Sequence, residues 1–175
     1  MMLQIEINSE VGLPEKERLL TADSRERYQW LIDHTPISDS VSFPGGKVSL
    51  ALFKASRYCF VYGHFPASLV LGLSYIEKTI GGWFVRDRRP ELEKAGLGTL
   101  IQKSLIVGLI DEESYDILNR ARHKRNLIPP FYRPDESWTM RKEILPESAE
   151  HFTIGDDDVR QLLGVMMHIL HGKIG

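Results

Sequence analysis

The segment from Lys47 to Phe84, KVSLALFKASRYCFVYGHFPASLVLGLSYIEKTIGGWF, decides the fold. Val48, Leu52, Ala55, Cys59 and Tyr62 recur at alternating steps of four and three, the spacing of one face of an α-helix. Lys47, Lys54 and Arg57 avoid that line, so the spacing predicts a helix with this apolar stripe turned to a core. Gly63 is a natural stop and Pro66 suits the first turn of a second helix. That helix repeats the pattern with Leu69, Leu73, Ile76, Ile80 and Trp83. Two amphipathic helices joined by so short a turn must run antiparallel and share a core. Ala67, Ser68, Gly72 and Ser74 are small enough to let further elements approach closely on the other sides.

The flanks carry the same helical punctuation. Upstream, Pro14-Glu15-Lys16-Glu17 opens a charged segment, and Asp23-Ser24 is positioned to cap a piece with Tyr28, Leu31 and Ile32 that His34-Thr35-Pro36 ends. Ser42-Phe43-Pro44-Gly45-Gly46 reads as a turn. Downstream, Arg86-Asp87-Arg88-Arg89-Pro90 is a polar break before a helix through Leu97, Leu100, Ile101 and Leu105 that ends near Gly108. Asp111-Glu112-Glu113 is a capped, acidic helix start, continuing through Tyr115, Ile117, Leu118 and Ala121 to about Arg125. Asn126 to Glu150 is proline-rich and reads as a long loop with a short strand at Thr139–Ile144. Asp156-Asp157-Asp158 then starts a last helix whose buried side holds Val159, Leu162, Leu163, Met166, Ile169 and Leu170. The expected fold is all-α: an antiparallel bundle of about five helices over residues 47–175, with residues 1–46 as an N-terminal helical extension of a single domain.

Composition agrees with that architecture. The chain has 175 residues and 42 % hydrophobic residues, enough for one packed core. A formal charge of -2 excludes a strongly basic, non-specific nucleic-acid binder but leaves room for a local basic patch. Cys59 is the only cysteine, which excludes an intrachain disulfide and a cysteine-based zinc site. No secretion signal is read at the N-terminus, and the apolar stretch Tyr58–Leu73 is broken by Gly63, His64 and Pro66, so a cytoplasmic protein with no membrane span is expected.

Familiar catalytic signatures are missing. There is no P-loop and no Gly-x-Ser-x-Gly elbow, and Gly96-Leu97-Gly98 falls within a helical pattern, a weak dinucleotide signal. His168 and His171 stand three apart, more in keeping with polar residues near a helix end than with metal ligands, so no metal and no cofactor is expected. The unusual feature is Asn119-Arg120-Ala121-Arg122-His123-Lys124-Arg125-Asn126. Tyr115, Leu118, Arg122 and Arg125 follow one another by three, four and three, so two arginines continue an apolar stripe. An arginine so placed needs an anionic or carbonyl partner, because an unpaired buried charge is costly. Glu77, in the middle of the second core helix, is one candidate and a phosphate is another.

The stretch Ala51–Phe84, with its Tyr62-Gly63-His64-Phe65 break and Tyr75-Ile76-Glu77-Lys78, resembles the paired helices of the HEPN superfamily. Leu97–Asn126 resembles that family's next two helices, which lead to an Arg-Asn pair. The likeness covers about half the chain, with the last helix as a looser match. Active members are metal-independent ribonucleases, commonly homodimers, with an arginine, a polar residue and a histidine after four to six intervening positions. The resemblance places Arg125 and Asn126 on the first two positions, while Pro130, Phe131 and Tyr132 stand where the histidine would be. Histidine moves protons to and from ribose and leaving oxygens, and arginine stabilises phosphate charge.

Three readings follow. The favoured one is a catalytically degenerate HEPN-like binding or regulatory module, in a toxin–antitoxin or phage-defence setting, with Arg122, His123, Arg125, Asn126 and Glu77 at its site and RNA, a nucleotide or a protein as partner. The second is a working endoribonuclease in which Arg125 and Asn126 hold the phosphate and His64 or His123 transfers the proton. The third is a structural homodimer without ligand.

Overall fold

The computed structural model describes residues 21–35, 43–92, 95–126 and 153–171. The segment at Pro14–Glu17, the strand expected at Thr139–Ile144 and nearly all of the loop expected before the last helix lie outside them. The elements are α1 (Ala22–His34), α2 (Gly46–Val61), α3 (Phe65–Arg86), a 3-10 turn (Pro90–Leu92), α4 (Leu97–Ile106), α5 (Glu112–Asn126) and α6 (Asp156–His171). All regular structure among the described residues is helical, as expected for an all-α bundle. No helix among them is long and apolar enough to cross a membrane.

α2 and α3 are the centre of the bundle and run antiparallel, since Ser49 meets Thr79 and Ser56 meets Ser68. Leu69, Leu73, Ile76 and Ile80 are buried as expected and Trp83 is partly so, but the buried face of α2 is a correction. Its centre lies one residue further on, at Ser49, Phe53, Ser56 and Phe60, while Val48 is 58 % exposed and Tyr58 51 %. The physical reason is close approach. The serine hydroxyls satisfy each other across the interface: Ser56 Oγ donates to the Ser68 carbonyl and Ser68 Oγ to the Ser56 carbonyl, each at 2.8 Å. Ser49 and Thr79 oxygens are 2.6 Å apart. A paired hydroxyl is inexpensive to bury, and its small size brings the backbones together. Gly72 completes the contact, because a Cβ there would lie 2.9 Å from Leu162 Cδ2 and 3.1 Å from Ser56 Oγ. Tyr75 joins the same layer beside Phe53, ring centroids 5.3 Å apart, with its hydroxyl buried and without an acceptor among the described residues.

Three helices end in the same way. Gly63 (φ 77°) follows α2 and Gly108 (φ 72°) follows α4, each donating to the carbonyl three residues back. The next residue reaches five back, His64 to Cys59 and Leu109 to Ser104, each at 2.8 Å. After α3 the left-handed position is Arg88 (φ 59°), the one non-glycine with positive φ among the described residues. Helix starts are also specified. Asp111 accepts from the Ser114 amide at 2.8 Å, and Asp158 reaches back to the Gly155 amide at 3.0 Å. Thr21, not Asp23 or Ser24, caps α1: its hydroxyl accepts the Ser24 amide, and Ser24 itself is buried.

α6 carries its expected core face without exception, with Val159, Leu162, Leu163, Met166, Ile169 and Leu170 all buried. α1 is built onto α2 and α6 through three arginines. Arg27 donates to the Val61 carbonyl at 3.1 Å, and Arg57 donates to Thr35 Oγ1 at 3.2 Å. Arg160 of α6 pairs with Asp156 and with Glu26 of α1, and lies over the rings of Trp30 and Phe60.

Candidate anion-binding site at the end of helix 5

The basic run of α5 divides by helical phase. Arg120 and Lys124, four residues apart, face α6: Arg120 Nη2 donates to Gln161 Oε1 at 3.1 Å, and Lys124 Nζ meets Asp158 Oδ1 at 2.6 Å. These two cations are committed to holding α5 on α6. Arg122 points to the other side, onto α4. Its Cζ, Nη1 and Nε lie 3.6, 3.6 and 3.7 Å from where a Cβ of Gly98 would stand, so the guanidinium rests flat on that glycine. Nη2 lies 3.3 Å from His123 Nε2 and donates to it when the imidazole carries its proton on Nδ1. Nε is shut off from solvent and finds no acceptor among the described residues.

Gly98 is the second residue of α4, so Arg122 covers the helix's first turn. Gly96 at the N-cap supplies no side chain to accept from that turn. The amides of Leu97, Gly98 and Thr99 have no intrahelical carbonyl, and the dipole makes this end of α4 partially positive. The spacing around Gly96-Leu97-Gly98 reads as the interior of a helix. The structure puts the helix start between them. The signal that would have found it is Arg122, one side-chain length from any helix packed against α5.

Arg125 is half-buried one turn beyond Arg122, and Asn126 is the exposed last residue of α5. Among the described residues no ion pair joins Arg125 to Glu77, which is half-buried on α3. His64 is the exposed N-cap of α3 and makes no side-chain cap. It lies at the same end of the bundle as Arg125: Lys124 meets Asp158 of α6, and Arg160, two residues on, lies over Phe60, four residues before His64. No hydrogen bond among the described residues joins His64 or His123 to Arg125.

Arg57 and Arg160 are absorbed structurally. Burial lowers the Arg57 pKa, with Tyr28 acting in the opposite sense, and the guanidinium lies over Phe53 where it ties α2 to the end of α1. Burial also pulls Arg160 down, but the hydrogen bonds with Asp156 and Glu26 outweigh it and raise the net value. Cys59, half-buried on the outer side of α2, has its thiol pKa raised by burial. Among the described residues no three His, Cys, Asp or Glu side chains converge as metal ligands would. No protein-family signature, curated protein or solved structure matches this chain.

Proposed function

We propose that this chain is a HEPN-like helical module that binds RNA through the end of α5 and does not cleave it. The observation that carries this reading is the division of the α5 cations: Arg120 and Lys124 are engaged by α6, whereas Arg122 and Arg125 meet no carboxylate among the described residues, beside a helix start with no side-chain cap. A guanidinium without a carboxylate partner is the one whose fork a phosphate can take in a charge-assisted pair. Arg125 and Asn126 extend the contact one turn along the strand, and the committed pairs of Arg120 and Lys124 hold α5 in place while it does so. Glu77, half-buried on α3, takes no part in binding in this reading. A homodimer is part of the proposal, and sedimentation equilibrium tests it.

Cleavage by Arg125, Asn126 and His64 is the second reading, favoured by one observation, their common end of the bundle. One experiment separates the two. A fluorescent single-stranded RNA is titrated with protein at two salt concentrations, and the same mixtures with chelator are run on a gel. The binding reading expects salt-dependent anisotropy, weakened by Arg122→Ala and Arg125→Ala, over intact RNA. Cleavage lost in Arg125→Ala would replace it by the nuclease reading, and an unbound RNA at low salt would remove both.

A further inference from the structure

The apolar stripe of α2 that its spacing turns to a core lies on the outer side of the bundle. Val48 and Tyr58 are more than half exposed, Ala51 is exposed, and Leu52, Ala55, Cys59 and Tyr62 are half-buried. The neighbours of α2 take its other side. Arg57 and the Val61 carbonyl meet α1, Ser49 and Ser56 meet α3, and Ser56 lies by Met166 of α6.

The spacing of the outer stripe is that of a helix seam. Val48, Ala51 and Leu52 are repeated seven residues on by Ala55, Tyr58 and Cys59, and Tyr62 opens the next repeat. Apolar residues at heptad spacing are what one helix shows to another, each knob of the partner entering a hole framed by four side chains. Val48, Ala51, Leu52 and Ala55 frame such a hole, and its two alanines leave it open.

Charge selects the partner. No aspartate or glutamate occurs between Asp39 and Glu77, a stretch that holds all of α2 and the first half of α3. Lys47 borders the stripe next to Val48. Lys78 of α3 lies by the start of α2, its carbonyl oxygen 2.7 Å from where a Cβ of Gly45 would stand. Both lysines are exposed, and no ion pair joins either to a carboxylate among the described residues. A second copy would bring the same cations and no carboxylate from its own α2. RNA would meet the cations and leave the apolar repeat in water. A bilayer takes up protruding apolar side chains, and the alanines at the centre of the stripe offer none. We propose that the outer face of α2 is a docking seam for an amphipathic helix of a partner protein, with apolar residues at heptad spacing and aspartate or glutamate beside them. The seam is independent of the RNA reading, which concerns α4 and α5.

The test uses two labelled synthetic helices with leucine at the seam positions and either glutamate or lysine on the flanks. Each is titrated with the full chain and followed by anisotropy. The glutamate helix should bind about tenfold or more tighter than the lysine helix. The double variant Lys47→Glu, Lys78→Glu should reverse that order, a result that loss of folding cannot produce. Ala55→Arg fills the centre of the seam from a half-buried position and should abolish binding of both helices at a nearly unchanged melting temperature. No binding of either helix, or equal binding of both without a response to the lysine swap, would overturn the proposal. Three further outcomes would overturn it by giving the face another occupant: a dimer that Ala55→Arg dissociates, anionic phospholipid vesicles that bind the wild type and not Ala55→Arg, or RNA binding lost in the lysine swap.

Discussion

Replacing Gly82 with alanine sets two opposing effects against each other. Gly82 lies inside α3, where alanine is favoured over glycine by about 1 kcal/mol. Against that, a Cβ at this position would stand 2.5 Å from the Pro44 carbonyl oxygen, 2.6 Å from its carbon and 2.8 Å from the Gly45 nitrogen. All three are backbone atoms, so no side-chain rotation relieves them. The same turn is pinned from the other side, because a Cβ on Gly45 would meet the Lys78 carbonyl oxygen at 2.7 Å. Moving the turn also drags Phe43, which packs edge-on against Phe53 and Tyr75 in the central layer. Overpacking costs about 1–3 kcal/mol, and three immovable backbone atoms put this case in the upper half of that range, so the net expectation is a loss of roughly 1–2 kcal/mol. At this chain length that lowers the melting temperature by about 2–8 °C. Gly164→Ala is the internal control: the position is exposed in α6 and a Cβ there meets nothing within 4 Å. It should gain about 0.5–1 kcal/mol from helix propensity alone. Urea unfolding followed by circular dichroism reads both, as midpoints at constant slope. A Gly82→Ala midpoint at or above wild type, with Gly164→Ala behaving as stated, would show that the Pro44-Gly45 turn does not rest on α3.

Tyr75→Phe removes a buried hydroxyl that finds no acceptor among the described residues, its neighbour Thr79 being engaged with Ser49, so stability should hold or rise by about 1 kcal/mol. Burial also raises the Tyr75 pKa, with a smaller opposing pull from Thr79. The unfolded chain therefore loses this proton first, and wild-type stability should fall as pH rises through about 10, more steeply than that of Tyr75→Phe. Arg88→Gly relieves a non-glycine held at φ 59° after α3 and should raise the unfolding free energy by about 0.5–1 kcal/mol, read as a higher urea midpoint at constant slope. Asp111→Ala removes the cap of α5 and should cost about 1 kcal/mol at neutral pH. Hydrogen bonds from the Ser114 side chain and amide lower the Asp111 pKa, so its contribution is present above about pH 4 and fades as the pH falls through the depressed value. Unfolding curves of the two proteins should then converge in acid, and a gap that persisted there would argue against the ionised cap.

Helix positions and their ends were legible in the chain by itself, because they rest on short-range chemistry. Gly63 and Gly108 supply the left-handed residue that a closing turn needs, and Asp111 and the acidic start of α6 supply acceptors for amides that a helix leaves free. The core faces of α3 and α6 were legible too, since long aliphatic side chains at helical spacing have no better place than the interior. α2 escaped that logic. Its buried line alternates serine with phenylalanine, and serine counts as outward until a partner hydroxyl or carbonyl comes within reach; Ser68 and Thr79, which supply them, lie 12 and 30 residues away. The candidate site divides in the same manner. A run of cations at the end of α5 is a property of the sequence, and so is the phase that separates Arg120 and Lys124 from Arg122. Which of those phases meets carboxylates is a property of packing. Asp158 and Gln161 lie under one side and the bare start of α4 under the other, so only the tertiary structure decides that Lys124 is neutralised and that a buried nitrogen of Arg122 finds no acceptor among the described residues.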